Sequence, residues 1–196
     1  MTRKTTLKES DILDINKYES IRTKFRGEIV EEKKLRRIAV GPYATFYFES
    51  YNTMWYQVQE MLRIEKGGKE QIKDELAAYN PLIPNGMELV ATLMFEIDNP
   101  DIRAAFLAGL GGVEDKITMH IGEKIITAVP EEDVDRTSAR GKASSVQFVH
   151  FNFSELEIVE FNRKAEQIVL SINHPKYSHS TTLQKDTRDI LAMDFK

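Results

Sequence analysis

The chain contains no cysteine. That one absence removes a disulfide framework, a thiolate zinc site, an iron–sulfur cluster held by this chain and a cysteine nucleophile. Long apolar runs are missing too. No stretch approaches the roughly 18–20 apolar residues of a transmembrane helix. The opening MTRKTTLKESDILDINKYES has no apolar core of the kind a signal peptide needs. A cytoplasmic protein without membrane insertion is the expectation. Positive charge is not in excess: the net charge is −4 and the pI about 5.7, which speaks against a nucleic-acid partner. The basic cluster Lys33, Lys34, Arg36 and Arg37 follows Glu28, Glu31 and Glu32. Charges alternating at that spacing describe a solvated helix face with i,i+4 pairs. Known catalytic signatures are also lacking: no GxSxG elbow, P-loop, kinase set or dinucleotide fingerprint occurs.

What is present is ordinary globular composition: 196 residues, 41% hydrophobic and 30% charged. That length is enough for one domain with a real core. Tyr18, Ile21, Phe25 and Ile29 recur at helical spacing and predict a helix to Arg37, ended by Gly41-Pro42. Alternation predicts a strand over 44–50. A helix over 52–66, capped by Asn52 or Thr53, and a shorter one from Lys69 to Ala78 follow. Two prolines and a glycine make 79–86 an extended turn. ELVATLMFEI (88–97) alternates strictly, and Asn99-Pro100 then opens a helix. Strands over 117–121 and 124–129 flank a two-residue turn, Gly122-Glu123. Residues 130–144 read as a polar loop and 144–153 as a central strand. Ser154 caps a helix through Glu166, 167–174 is a strand, and 183–195 a last helix.

The order implies an α+β fold: a mainly antiparallel or mixed sheet of about six strands with helices packed on it. A split βαβ, ferredoxin-like core over about 88–173 is one arrangement of these elements. The expected organisation is a single domain over 1–196. It comprises a helical part (about 10–80), a sheet-rich part (about 88–182) and the C-terminal helix.

Few positions look chemical. The glycines of GLGGVED (109–115) follow a helix and precede a strand, the reverse of a phosphate-cradling loop, so they read as a helix end and turn. Gln57, Glu60 and Arg63 lie about a turn apart on one helix face, either solvated or lining a cleft. His120 alternates with Met119 and Ile121 toward a polar, exposed face, and His150 shares a face with Val146 and Phe148. His174 and His179 flank Pro175, and a turn there would bring both imidazoles together with Tyr177. His150, His174 and His179 with an oxygen from Tyr177 or Glu60 could hold iron, zinc or manganese, although the spacing matches no diagnostic metal motif.

Several stretches occurring in order carry a resemblance. They are RTKFRGEIVEEKKLRRIAVGPYATFYFE, QVQEMLRIE, AYNPLIPNG, SSVQFVHFNF and NHPKY. Together, over about residues 10–190, they resemble a bacterial family catalogued as domain of unknown function 3501. The matching residues are Gln57, Glu60, Arg63, Glu65, Tyr79, Asn80, Pro81, His174, Pro175 and Tyr177, while Asn173 stands where the family's DHPxY pattern has an acid. The resemblance implies a single-domain cytoplasmic protein whose genes lie near rubrerythrin-like diiron proteins and iron–sulfur oxidoreductase subunits. It therefore implies an accessory role in peroxide or redox metabolism, with a redox protein as partner. Three functions are expected on these grounds. One is a binding or accessory protein whose metal or small-molecule pocket draws on Gln57, Arg63, Glu65, Tyr79, Asn80 and the 173–179 segment. Another is an enzyme pairing Glu60 with His174 as acid and base, with Arg63 anchoring an anion. The last is a structural subunit in which Met54, Trp55 and Tyr56 cover an interface.

Overall fold

A computed structural model describes residues 4–131, 142–163 and 167–196. The chain opens with a 3-10 turn at Glu9–Asp11 and the long helix α1 (Ile15–Leu35), capped by Asp14, whose side chain accepts the amides of Asn16 and Lys17. Strands β1 (Arg37–Val40) and β2 (Ala44–Phe48) form a hairpin, followed by α2 (Tyr51–Glu65) and α3 (Gly68–Tyr79). Then come β3 (Glu88–Phe95), α4 (Pro100–Ala108), β4 (Ile117–Ile121), β5 (Lys124–Thr127) and the short β6 (Val129–Pro130). The chain finishes with β7 (Val146–Asn152), α5 (Glu155–Asn162), β8 (Ile168–His174), β9 (Tyr177–Thr182) and α6 (Lys185–Ala192).

The fold is α+β, and its strand pairs are all antiparallel. The described strands form two sheets, ordered β1-β2-β3-β7-β6 and β5-β4-β8-β9. One sheet of about six strands is therefore corrected to two. The ferredoxin-like core is not formed, because β3 and β4, joined through α4, enter different sheets. The sheets face each other across a core that includes Phe46, Phe48, Leu93, Phe151, Met119, Leu170 and Ile172. They also meet at their edges. The chain passes from β5 directly into β6, and the Thr181 hydroxyl of β9 donates to the Ala39 carbonyl of β1 at 2.7 Å.

Period-2 alternation builds a third layer. In β3, Leu89, Ala91, Leu93 and Phe95 enter the inter-sheet core, while Val90 points to the opposite face. There Val90 and Phe148 meet Met54, Val58, Leu76, Leu82 and Ile83, so α2 and α3 cover the outside of the five-stranded sheet. Helix α1 lies against α2 through aromatic contacts of Trp55 with Tyr18 and Phe25. No helix among the described residues is long and apolar enough to cross a membrane.

Several boundaries differ from those read in the sequence. The first helix stops at Leu35, and Arg37–Val40 becomes a strand because Gly41, at φ +72°, turns the chain back onto it. Ile21 is exposed although it keeps the helical spacing. The cap of α2 is Ser50, which accepts the Thr53 amide while Thr53 accepts the Ser50 amide. Beyond the turn at Pro175 the chain continues as strand β9, an element the periodicity did not predict. Part of the expected polar loop is strand β6 and the buried Ala143. Residues 132–141 of that loop, and the expected helix end at 164–166, lie outside the described residues.

Candidate functional site

The polar face of α2 turns toward α1. One oxygen of Glu60 accepts the Tyr18 hydroxyl at 2.5 Å and the Arg22 Nε at 2.7 Å, and the other accepts Arg22 Nη2 at 2.9 Å. Hydrogen bonds from Arg22, outweighing the effect of burial, hold its carboxyl below the usual range. Arg63 pairs with Glu19 of α1 at 2.5 Å. Trp55 donates to the Asp11 carbonyl at 2.8 Å. The aromatics expected to cover an interface thus seat α1 instead, and Met54 is buried beneath them. Glu65 accepts Gln71 at 2.8 Å, and Tyr79 packs on the apolar cluster under α2. Asn80 clamps the Leu7 backbone from both sides, accepting its amide at 2.7 Å and donating to its carbonyl at 3.1 Å. Gln57 is half-buried and forms no side-chain hydrogen bond among the described residues.

The 172–179 segment is a hairpin, with Pro175-Lys176 as its two-residue turn and His174 paired to Tyr177. Directly opposed residues share a face, so the turn does bring His174, Tyr177 and His179 to one side. Their bonds, however, are structural. The Tyr177 hydroxyl accepts the amides of Tyr43 and Ala44, both at 3.0 Å, and donates to the Val40 carbonyl at 2.7 Å. All of its hydrogen-bonding capacity is spent latching β9 onto the β1–β2 turn. His179 packs against Tyr177 at a tilt of 59°, with ring centroids 4.5 Å apart, above Gly41. His174 accepts the Lys176 amide through Nδ1 at 3.2 Å. Its strand belongs to the four-stranded sheet, whereas Glu60 lies in the helical layer outside the other sheet. The structure therefore does not bring Glu60 and His174 together as an acid–base pair, nor Arg63 beside them.

His150 sits apart from these, between two carboxylates. Its Nδ1 lies 2.9 Å from Glu88 and its Nε2 2.7 Å from Glu131. Burial pulls its pKa down, but the hydrogen bond to Glu88, with the Glu88 charge and Glu131 behind it, raises the pKa overall. Both nitrogens donate only in the imidazolium, the state opposite to that of a metal ligand. Half-buried His120 contacts Thr118 at 3.1 Å. No group of three or more His, Asp or Glu side chains is arranged to hold a metal among the described residues.

What the helical layer does contain is a pocket of about 700 Å³ between the 9–15 segment, α1, α2 and α3. Ile12, Leu13, Leu62 and Ile72 supply its apolar wall, and Asp14, Lys66 and Lys69 stand among its polar residues. Its volume falls within the roughly 300–1,000 Å³ of small-molecule sites. Gln59 also lines it. That residue is 2% exposed, and its Nε2 has no hydrogen-bond partner among the described residues. An unpaired buried amide costs about 1–3 kcal/mol. Sequence reasoning passed over Gln59, Lys66 and Lys69. A signal existed: Trp55, Gln59 and Leu62 share one helix face, so a carboxamide stands where the pattern asks for an apolar side chain.

A family model described as "Protein of unknown function (DUF3501)" matches residues 6–195. The chain belongs to that family. Its fold is also similar to the crystal structure of a protein of unknown function from Burkholderia pseudomallei K96243, at 32% identity and a TM-score of 0.89. The match covers 97% of this chain and 100% of that one. No curated protein matches. Several of the residues that carry the DUF3501 resemblance have visible work in this chain: Glu60 and Arg63 fasten α1, Asn80 fastens Leu7, and Tyr177 joins the sheets. Asn173 donates its amide to the Thr118 hydroxyl at 3.1 Å. An acid in its place would have to accept from Thr118 instead.

Proposed function

We propose that this protein binds a small, largely apolar molecule in the pocket between α1, α2 and α3. One observation carries the reading: a cavity of about 700 Å³ joins an apolar wall of Ile12, Leu13, Leu62 and Ile72 to a few polar residues, Gln59 among them. The acid–base alternative has less support, since Glu60 is held ionised and fully hydrogen-bonded by Arg22 and Tyr18. An accessory role in peroxide or redox metabolism, with a redox protein as partner, is a proposal resting on the family resemblance alone. In it the ligand site would be the point of contact with that chemistry.

Trp55, the sole tryptophan, packs edge-on against Tyr18, which lines the pocket. Apolar carbonyl compounds titrated into the protein should change its emission saturably. Leu62→Phe, which narrows the cavity at its apolar wall, should weaken that response. Absence of a saturable response in the unmodified protein, or equal affinity in Leu62→Phe, would overturn the reading.

A further inference from the structure

The strands that bound the two sheets are guarded unequally. A sheet edge offers unpaired N–H and C=O groups to any other strand, and short length, charge, proline or a covering segment normally closes it. Strand β6 is two residues long and ends at Pro130, which has no N–H. Strand β5 is four residues long, opens on Lys124 and runs straight into β6. In β1 the Ala39 carbonyl accepts the Thr181 hydroxyl. Strand β9, YSHSTT, is six residues long and contains no proline, lysine, arginine or carboxylate. Its Ser178, His179, Ser180 and Thr182 are exposed.

The register shows which of its main-chain groups are open. Just past β9, Leu183 donates its amide to the Ile168 carbonyl at 2.8 Å. Hydrogen-bonded and non-bonded pairs alternate along an antiparallel ladder. Tyr177, His179 and Thr181 therefore turn their backbone toward β8, and Ser178, Ser180 and Thr182 turn theirs away. The outward groups have no hydrogen-bond partner among the described residues. Strand β1 does not block them. Thr181 opposes Leu170, so its side chain points to the inter-sheet side. It meets Ala39 there, which sets β1 beneath β9 and not beside it.

We infer that β9 pairs with β9 of a second copy of this chain, antiparallel about a two-fold axis at Ser180. The strand is self-complementary in that register. Ser180 faces Ser180, Ser178 faces Thr182, and each outward amide of one copy meets a carbonyl of the other. Small hydroxyl side chains are favourable cross-strand neighbours. The nearest charges, Lys176 and Lys185, fall opposite Gln184 and Pro175, so no like charges meet. Two four-stranded sheets thereby become one continuous sheet. A single strand pair is a small interface, so the dimer is a weak one.

Sedimentation velocity of the full chain over a micromolar-to-millimolar series should show the average mass rising from one chain toward two. Ser180→Lys sets like charges against each other at the axis and should weaken association about tenfold, as should Ser180→Glu. Both variants should keep the unfolding midpoint, because the side chain is exposed. Mixed in equal amounts, they should associate again. A readout without substitution is amide exchange in the unmodified protein: Ser178, Ser180 and Thr182 should be protected at high concentration and exchange freely at low. A single chain throughout the series overturns the inference. So does a dimer that Ser180→Lys leaves intact, a mixture that does not associate, or exchange at these amides that ignores concentration.

Discussion

At the scale of single residues, the tightest determinants are three small knots. Tyr177→Phe removes one hydroxyl but strands two amides and a carbonyl in the β1–β2 turn. With each buried orphan costing about 1–3 kcal/mol, a loss of about 2–4 kcal/mol is expected in urea unfolding, and an unchanged midpoint would refute the latch. Gly41→Ala should destabilise as well. Its Cβ would stand 2.5 Å from the His179 ring and 2.7 Å from the Tyr177 hydroxyl, at a φ of +72°. Gln59→Leu should do the opposite. Replacing an unpaired buried amide with an apolar side chain of similar volume should leave stability unchanged or raise it by about 1 kcal/mol, while ligand affinity falls.

His150 gives the pH prediction at this scale. Its folded pKa lies above its ordinary value of 6.5, so protonation is favoured in the folded state. The stabilisation is fully present below pH 6.5 and is lost as pH rises through the folded pKa. A ring-proton titration by NMR should place that pKa above 6.5. The stability gap between the unmodified protein and His150→Gln should shrink as the solution becomes more alkaline. A gap that widens with pH would contradict the paired imidazolium. Glu60 works in the other direction. With its folded pKa lowered, its contribution is present above its unfolded value and is lost as acid titrates it.

At the scale of elements, legibility followed the strength of local periodicity. The α2 stripe and the strict alternation of β3 were plain in the sequence, because each side chain's face is fixed by the backbone repeat alone. Arg37–Val40 was not: four residues after a basic helix end carry too little pattern, and only pairing with β2 makes them a strand. YSHSTT hides β9 because its side chains are mostly exposed at a sheet edge. The cap of α2 was ambiguous among neighbouring polar residues. Reciprocal bonding with Thr53, plus a 2.5 Å bond to Glu32, selects Ser50. Ser50→Ala should cost about 1 kcal/mol, measurable as a lowered unfolding midpoint, and no change would assign the cap elsewhere. Glu60 and His174, though both legible as polar candidates, were placed apart by sheet topology, which no local pattern encodes.

At the scale of the whole molecule, the C-terminal end of the chain returns to the end of α1. Arg36 at the end of α1 and Asp194 beyond α6 form a bidentate pair, at 2.7 and 2.9 Å, with both side chains almost completely buried. Breaking a buried pair by removing one partner costs about 3–5 kcal/mol, so Asp194→Ala should be among the most damaging single changes. Three layers result, and the pocket lies in the outer one, where α1, α2 and α3 converge away from the inter-sheet core. The most direct check is the side-chain amide of Gln59 in a nitrogen–proton correlation spectrum, assigned by its loss in Gln59→Leu. On addition of the apolar carbonyl compound that changes Trp55 emission, its resonances should shift saturably, with the same dissociation constant as the Trp55 response. Resonances that stay fixed at saturating ligand would contradict binding at this pocket.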